Sequence, residues 1–314
     1  MARIVVIGGG HGQSAICRGI KNIADAEITA IVTVADDGGS TGRLRRQFHI
    51  PAMGDIRNVM ISLAEDETVM KELMDFRFED PDGDGMDVHG HNLGNLILTA
   101  LTQQRGSFLE AIQTIGQVLN VKGTIVPATT QVITLFARME DGVIVKGEAS
   151  IPNVNNHIRE VFYDEEVKAD PEAVQAILDA ELIIYGVGSV YTSILPNVII
   201  PEIRDALKET TAKRVYICNA MTQPGETDGY SVEDHVDALL HHGAPVDAVL
   251  VPSDILPYEI VSRYFDEGST PVMLKYQKHD YEVIQKSLLN FDRKLIRHDT
   301  QKVAEAIESI LEEL

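Results

Sequence analysis

The residues of this chain able to do chemistry fall in a few short stretches, and most of them suit a phosphorylated ligand. The first is the start, where Ile4-Val5-Val6-Ile7 run straight into Gly8-Gly9-Gly10-His11-Gly12-Gln13-Ser14. An apolar β-branched run followed by glycines and then a helical pattern reads as a buried strand meeting a phosphate-binding turn. Without Cβ atoms the backbone N–H groups can approach a pyrophosphate, and the first-turn N–H groups of the next helix face the anion. Gln13 stands where the dinucleotide fingerprint G-x-G-x-x-G has its third glycine, so the match is loose. A tight strand-to-helix connection would use the same glycines.

The second stretch, Thr33-Val34-Ala35-Asp36-Asp37-Gly38-Gly39-Ser40-Thr41-Gly42-Arg43-Leu44-Arg45, follows another strand-like run. Paired aspartates at a strand end can hold Mg²⁺, accept from a ribose hydroxyl or act as a base; a helix cap is the plain alternative. Arg43, Arg45 and Arg46 can reach an anion or form a solvated helix face. In Gly54-Asp55-Ile56-Arg57-Asn58, Asp55 can cap a helix or complete a metal site with Asp37, and the planar fork of Arg57 suits a phosphate. His89-Gly90-His91-Asn92-Leu93-Gly94-Asn95 pairs two histidines, but zinc needs three or four ligands. An anion-contacting helix start is the better reading, with Asn92 and Asn95 able to read a heterocycle edge. Gly186-Val187-Gly188-Ser189 is a second glycine turn after a strand, and Asn219 lies in a polar loop after a third. Asp80-Pro81-Asp82-Gly83-Asp84-Gly85 imitates a calcium loop, but its twelfth position is His91 where a bidentate glutamate is required.

These residues need a scaffold that gathers strand ends. Strand-like runs cover Arg3–Ile7, Glu27–Val34, Thr124–Val126, Gln131–Arg138, Val143–Gly147, Leu182–Tyr185, Arg214–Ile217, Ala248–Val251 and Pro271–Leu274. Helical periodicity fills the gaps, most clearly over His91–Leu101, from Pro201, and from the N-cap Asp299 to the end. Alternating strands and helices predict a Rossmann-like three-layer α/β/α fold with a mainly parallel sheet. The turn Glu140-Asp141-Gly142 predicts a β-hairpin insertion. Ligands bind beyond the carboxyl ends of such strands. No linker or repeat interrupts residues 1–314, so one domain is expected.

Composition narrows the partners. A formal net charge of −21 over 314 residues argues against a nucleic-acid-coating protein, so an anionic ligand must be captured locally by amides, a few arginines or a metal. Cys17 and Cys218 match no metal spacing and read as buried side chains. Neither a signal peptide nor a membrane-spanning apolar stretch is visible, which predicts a cytoplasmic protein.

The motifs VIGGG-x-G, ADDGGS-x-GRLR, GDIRN, GHNLGN, G-x-GS-x-YTSILPN and CNAMTQPGETDGYSVEDH together resemble the YvcK-type gluconeogenesis factor family. It lies within the wider superfamily of the 2-phospho-L-lactate transferase CofD. The resemblance covers nearly the whole chain. It implies a Rossmann-like fold and one of two activities. The YvcK-like branch binds UDP-sugars such as UDP-N-acetylglucosamine and supports cell-wall synthesis and cell shape during gluconeogenic growth. The CofD branch transfers a phospholactyl group from a nucleotide diphosphate donor with Mg²⁺. A nicotinamide dinucleotide protein with Asp36 on the ribose is a third, weaker reading. By motif, Gly8, Gly9, Gly10, His11, Gly12, Asp36, Asp37, Ser40, Asn92, Gly188, Ser189 and Asn219 would line the nucleotide cleft. Arg57 and Asn95 join them from the reading above. Asp37 and Asp55 match the transferase metal site, Tyr264 and Arg297 the UDP-sugar contacts, and Thr300 a kinase-modified threonine. His11, Val187 and Ala52-Met53 depart from the family pattern, where threonine, proline and a proline-rich pair are usual. Expected partners are the nucleotide sugar, a cell-wall enzyme or kinase, and further copies of the chain.

Overall fold

The apolar runs assemble into a seven-stranded parallel sheet in the computed structural model of the chain, which describes residues 1–65, 69–79, 87–154 and 156–314. Strand β1 (Ala2–Gly8) leads into α1 (Gly10–Ile20) and β2 (Ala26–Val32). Helices α2 (Gly39–Phe48), α3 (Gly54–Leu63), α4 (Val69–Asp75), α5 (Leu93–Arg105) and α6 (Phe108–Val118) precede β3 (Thr124–Pro127). Strands β4 (Leu135–Met139), β5 (Ile144–Lys146) and β6 (Ile158–Tyr163) make a separate antiparallel sheet in the order β5-β4-β6. The chain then continues through α7 (Pro171–Asp179), β7 (Leu182–Tyr185), α8 (Leu195–Val198), α9 (Pro201–Glu209), β8 (Lys213–Ile217), α10 (Val232–His241) and β9 (Ala248–Pro252). It closes with α11 (Tyr258–Asp266), β10 (Glu282–Lys286), β11 (Leu289–Asn290), β12 (Arg297–His298) and α12 (Thr300–Leu311).

The large sheet has the order β10-β9-β8-β7-β1-β2-β3. From β1 the chain winds outward to β3, then returns to the other side of β1 as β7 and winds the opposite way. Right-handed crossovers therefore place the two sets of connecting helices on opposite faces. The reversal falls between β1 and β7, where Val5 pairs with Thr29 on one side and Ile183 on the other. Strands buried on both faces need unbroken apolar runs, which is why Val6, Ile7, Ile183 and Ile184 are fully buried.

The Rossmann-like reading and the hairpin are observed, with local differences. Gln131–Arg138 is strand only from Leu135, because the Gln131 side chain bonds Glu166 O and Lys168 N instead of joining a ladder. β6, unmarked in the sequence reading, pairs with β4. Pro271–Leu274 makes a single bridge, Met221 to Pro271, while the following amides of Lys275 and Tyr276 donate to Glu233. The outer strand is instead β10, whose half-exposed Glu-Val-Ile-Gln-Lys pattern is weak in apolar signal. α5 starts at Leu93 rather than His91, because Asn92 caps it. Asp299 caps α12 as expected, accepting from Gln301 N and Lys302 N. Both cysteines are free and buried. Among the described residues no helix is long and apolar enough to cross a membrane. The calcium-like Asp80–Gly85 lies outside the described residues.

Candidate functional site

At the switch point the two glycine turns lock together. A Cβ on Gly12 would collide with the Val187 carbonyl oxygen, so only glycine lets α1 approach the second turn. Gly188 N donates to Asn219 Oδ1 at 3.4 Å, and Asn219 Nδ2 returns a bond to Gly188 O at 3.0 Å. Loops after β1, β7 and β8 therefore meet at one edge. Gln13 explains the missing third glycine: its buried Nε2 donates to Val6 O and Ile31 O, both at 2.9 Å, sealing α1 to β1 and β2. His11 is exposed on the first turn of α1. Ser189 is less available than its sequence context suggests. Its hydroxyl donates to Glu226 and accepts from Thr192 N at 2.9 Å, and Thr192 also donates to Glu226.

Carboxylates dominate the other side. Asp55, at the start of α3, accepts from Gly10 N. Its Oδ2 lies 2.6 Å from where a Gly9 Cβ would stand. Burial, then the nearby Asp36 charge, pushes its carboxyl up to about 7. Asp36 accepts from Gly38 N at 2.8 Å and bonds Thr41, and burial raises it too. Glu148, on the 3-10 segment Glu148–Asn153 after β5, is pushed up to about 8 by burial and by Asp36, Asp55 and Asp37. Asp37 is turned toward that segment: its Oδ1 accepts from Ala149 N at 3.0 Å. Asp36 is the aspartate whose charge raises Asp55. Among the described residues no three His, Cys, Asp or Glu side chains converge as a metal cage. Mg²⁺ is commonly held by one or two carboxylates together with substrate phosphates, and Asp36 and Asp55 can supply those.

A polar knot joins the starts of α2 and α5. Ser40 Oγ lies 3.0 Å from His91 Nδ1, accepts from Asn92 N at 3.3 Å and contacts Asn95 Nδ2 at 3.4 Å. Asn92 Oδ1 accepts from Asn95 N, so Asn92 is the N-cap of α5. Burial, reinforced by Arg43 and Arg77, lowers the His91 pKa. The His89 carbonyl accepts from Arg43 Nη2 at 2.7 Å. Arg57 is 7% exposed and its stem packs on Gly94 of α5. Its Nη2 donates to Asn58 Oδ1 at 2.6 Å, but Nε and Nη1 are buried without a partner among the described residues.

The chain resembles known proteins over nearly its whole length. The family model described as 2-phospho-L-lactate transferase CofD matches residues 4–289. The chain belongs to the CofD family. A protein of Bacillus subtilis named gluconeogenesis factor is 44% identical to this CofD-family chain, covering 99% of it and 98% of the relative. The putative gluconeogenesis factor of Thermotoga maritima is 42% identical over 98% and 99% of the two chains. A crystal structure from Bacillus halodurans, described as a member of the UPF0052 family, superposes with a TM-score of 0.91. It is 42% identical, covering 97% of this chain and 98% of that one.

The remaining expected residues of this CofD-family chain lie on α11, β12 and α12. Tyr264 of α11 accepts from Ile296 N through its hydroxyl at 3.0 Å. It packs with Ala220, Met221, Ile260 and Leu289, which places it beside the Asn219 loop. Arg297 on β12 is exposed. Thr300 is the first residue of α12, and its carbonyl fills the space beside Gly19 of α1. Sequence reasoning missed Glu148 and Glu226. Glu226 lay inside a quoted motif without a role, and nothing in the sequence brings Glu148 from the small sheet to the aspartates.

Proposed function

We propose that this chain is a regulatory factor that binds a nucleotide sugar of the UDP type and supports cell-wall synthesis and cell shape during gluconeogenic growth in the cytoplasm. The observation that carries the reading is the abutment of two glycine turns, at Gly12 and Val187, on the switch point of a parallel sheet. That crevice is where doubly wound folds place nucleotides. The relatives named gluconeogenesis factors, matched over almost their full length, support the regulatory side. Tyr264 and Arg297 would then contact the sugar end, and Asn219 and Gly188 the nucleotide. A phosphate on Thr300 would meet the favourable dipole end of α12 and offers a kinase-dependent switch.

The second reading is a Mg²⁺-dependent phospholactyl-type transferase, favoured by the family model and by the dense carboxylates Asp36, Asp55 and Glu148. When bound with a nucleotide diphosphate, the ion would neutralise the phosphates. The chain's own part would be to hold that nucleotide with the turn amides and to orient it through Asp36 and Asp55.

Calorimetric titration with UDP-N-acetylglucosamine, UDP-glucose, GDP and NAD separates the readings. Tightest binding of a UDP-sugar supports the first; binding of NAD alone overturns it. Turnover of a phospholactyl nucleotide, lost in Asp36→Asn, would establish the second.

A further inference from the structure

We propose that the anionic end of the ligand is received by the Arg57 guanidinium beside Asn95 of α5, and not by the first glycine turn, whose helix end is already occupied by the Asp55 side chain. This rests on the reading that the carboxyl edge of the sheet takes a nucleotide sugar, and it names which groups of that edge do the capture.

The glycines after β1 invite a phosphate on sequence grounds, yet a carboxylate fills the place. Asp55 accepts from Gly10 N and lies against Gly9, at the N-terminal end of α1 where an anion is favoured. A phosphate arriving there would have to displace that side chain, with Asp36 and Glu148 close by.

Arg57 presents the reverse situation. Arg45, the other buried arginine near these loops, spends both terminal nitrogens on the carbonyls of Ala35, Asp36 and Ile133 and leaves only Nε bare. Arg57 commits only Nη2, to Asn58, and leaves Nε and Nη1 bare although the residue is 7% exposed. Buried unmade donors are costly and rare. Nε and one Nη form the edge of the guanidinium that grips an oxyanion with two parallel bonds. Asp75, Arg77, Asp55 and Asp36 are the charged groups around it; Asn58 is its one hydrogen-bond partner among the described residues. One residue beyond Gly94, on which Arg57 packs, Asn95 is 2% exposed and its Oδ1 also lacks a partner. A donor fork and a nearby bare acceptor suit a phosphate carried beside a hydroxyl or amide N–H. The glycosyl phosphate of a nucleotide sugar has that chemistry.

The test is calorimetry in EDTA with UDP-N-acetylglucosamine and uridine, and thermal denaturation with inorganic pyrophosphate, on the full chain. Arg57→Gln should raise the Kd for UDP-N-acetylglucosamine at least about tenfold, while Arg57→Lys, keeping charge but losing the fork, falls between. Asp55→Asn should tighten binding. Uridine, which has no phosphate, should be insensitive to both changes. An unchanged Kd in Arg57→Gln overturns the proposal, and so does a tenfold weakening in Asp55→Asn. Should Arg57→Gln fail to fold, Arg57→Lys decides by the same criterion. If the parent chain ignores UDP-N-acetylglucosamine but pyrophosphate raises its Tm in an Arg57-dependent way, the functional reading fails and the anion site stands. No response to either ligand overturns both.

Discussion

The two glycine turns at the switch point read alike in sequence and are built differently. Each encloses a buried acid. In the second turn, Glu226 meets the hydroxyls of Ser189 and Thr192, so both of its oxygens are served by neutral donors. In the first, Asp55 meets a backbone N–H but also the field of Asp36, and Glu148 approaches from the small sheet. One acid is a structural closure. The other is one of several like charges crowded together, which a cation, a proton or a rearrangement would relieve. Glycine after a strand therefore reports only that something comes close. It does not say whether that something is a ligand or the protein's own side chain.

The contact between the turns gives the largest expected effect. Gly12→Val drives side-chain atoms into the Val187 carbonyl, and backbone on both sides resists displacement. Overpacking of this kind costs about 3 kcal/mol or more, read as a lowered urea midpoint. Gly116→Ala is the control, since a Cβ there meets open space within α6. It should gain up to about 1 kcal/mol from helix propensity. Equal behaviour of the two variants would break the picture of interlocked turns.

Next comes the closure of the second turn. Glu226→Ala leaves the Ser189 and Thr192 hydroxyls facing a small void, at a cost of about 2 kcal/mol. Glu226→Gln keeps an acceptor and should lose about 1 kcal/mol or less. If the glutamine variant lost as much as the alanine one, the negative charge rather than the hydrogen bonding would be what holds this turn. The two turns would then be alike after all.

How much of this was legible without coordinates follows from the range of each interaction. The strands β1, β2, β7, β8 and β9 announce themselves because burial on both faces demands contiguous apolar residues. The outer β10 does not, since its exposed residues obey no such demand. Asn92 was legible as an important polar residue, but its capping role depends on where α5 starts, and boundaries are set by hydrogen bonds that periodicity blurs. Asp36, Asp37 and Asp55 could be named because acids cluster beside glycine loops. Their pairing could not, because Asp37 is drawn away by Ala149, which lies 112 positions on. Glu148 reaches the aspartates through the same insertion, and Arg57 is singular only by the bonds it lacks. Such features exist only in three dimensions.

The smallest effect is the one that separates the acids of the first turn from everything else. Asp55 in the folded chain is raised to about 7 and Glu148 to about 8, above the values they would have unfolded. The folded state thus holds protons that the unfolded state has released. The contribution of each group is full below about pH 4 and is lost as pH rises through its folded pKa. His235, His242 and His298 work in the opposite sense: burial lowers them, so their contribution is lost as pH falls below about 6.5. The two effects overlap below neutrality and separate above it. Stability measured by urea should therefore fall by about 1 kcal/mol from about pH 7 to about pH 8.5, the ceiling per group being about 1.4 kcal/mol per pH unit before solvent screening. The double substitution Asp55→Asn with Glu148→Gln should flatten that fall. A slope unchanged by the double substitution would mean that the carboxylates of the first turn are no more crowded than the one in the second.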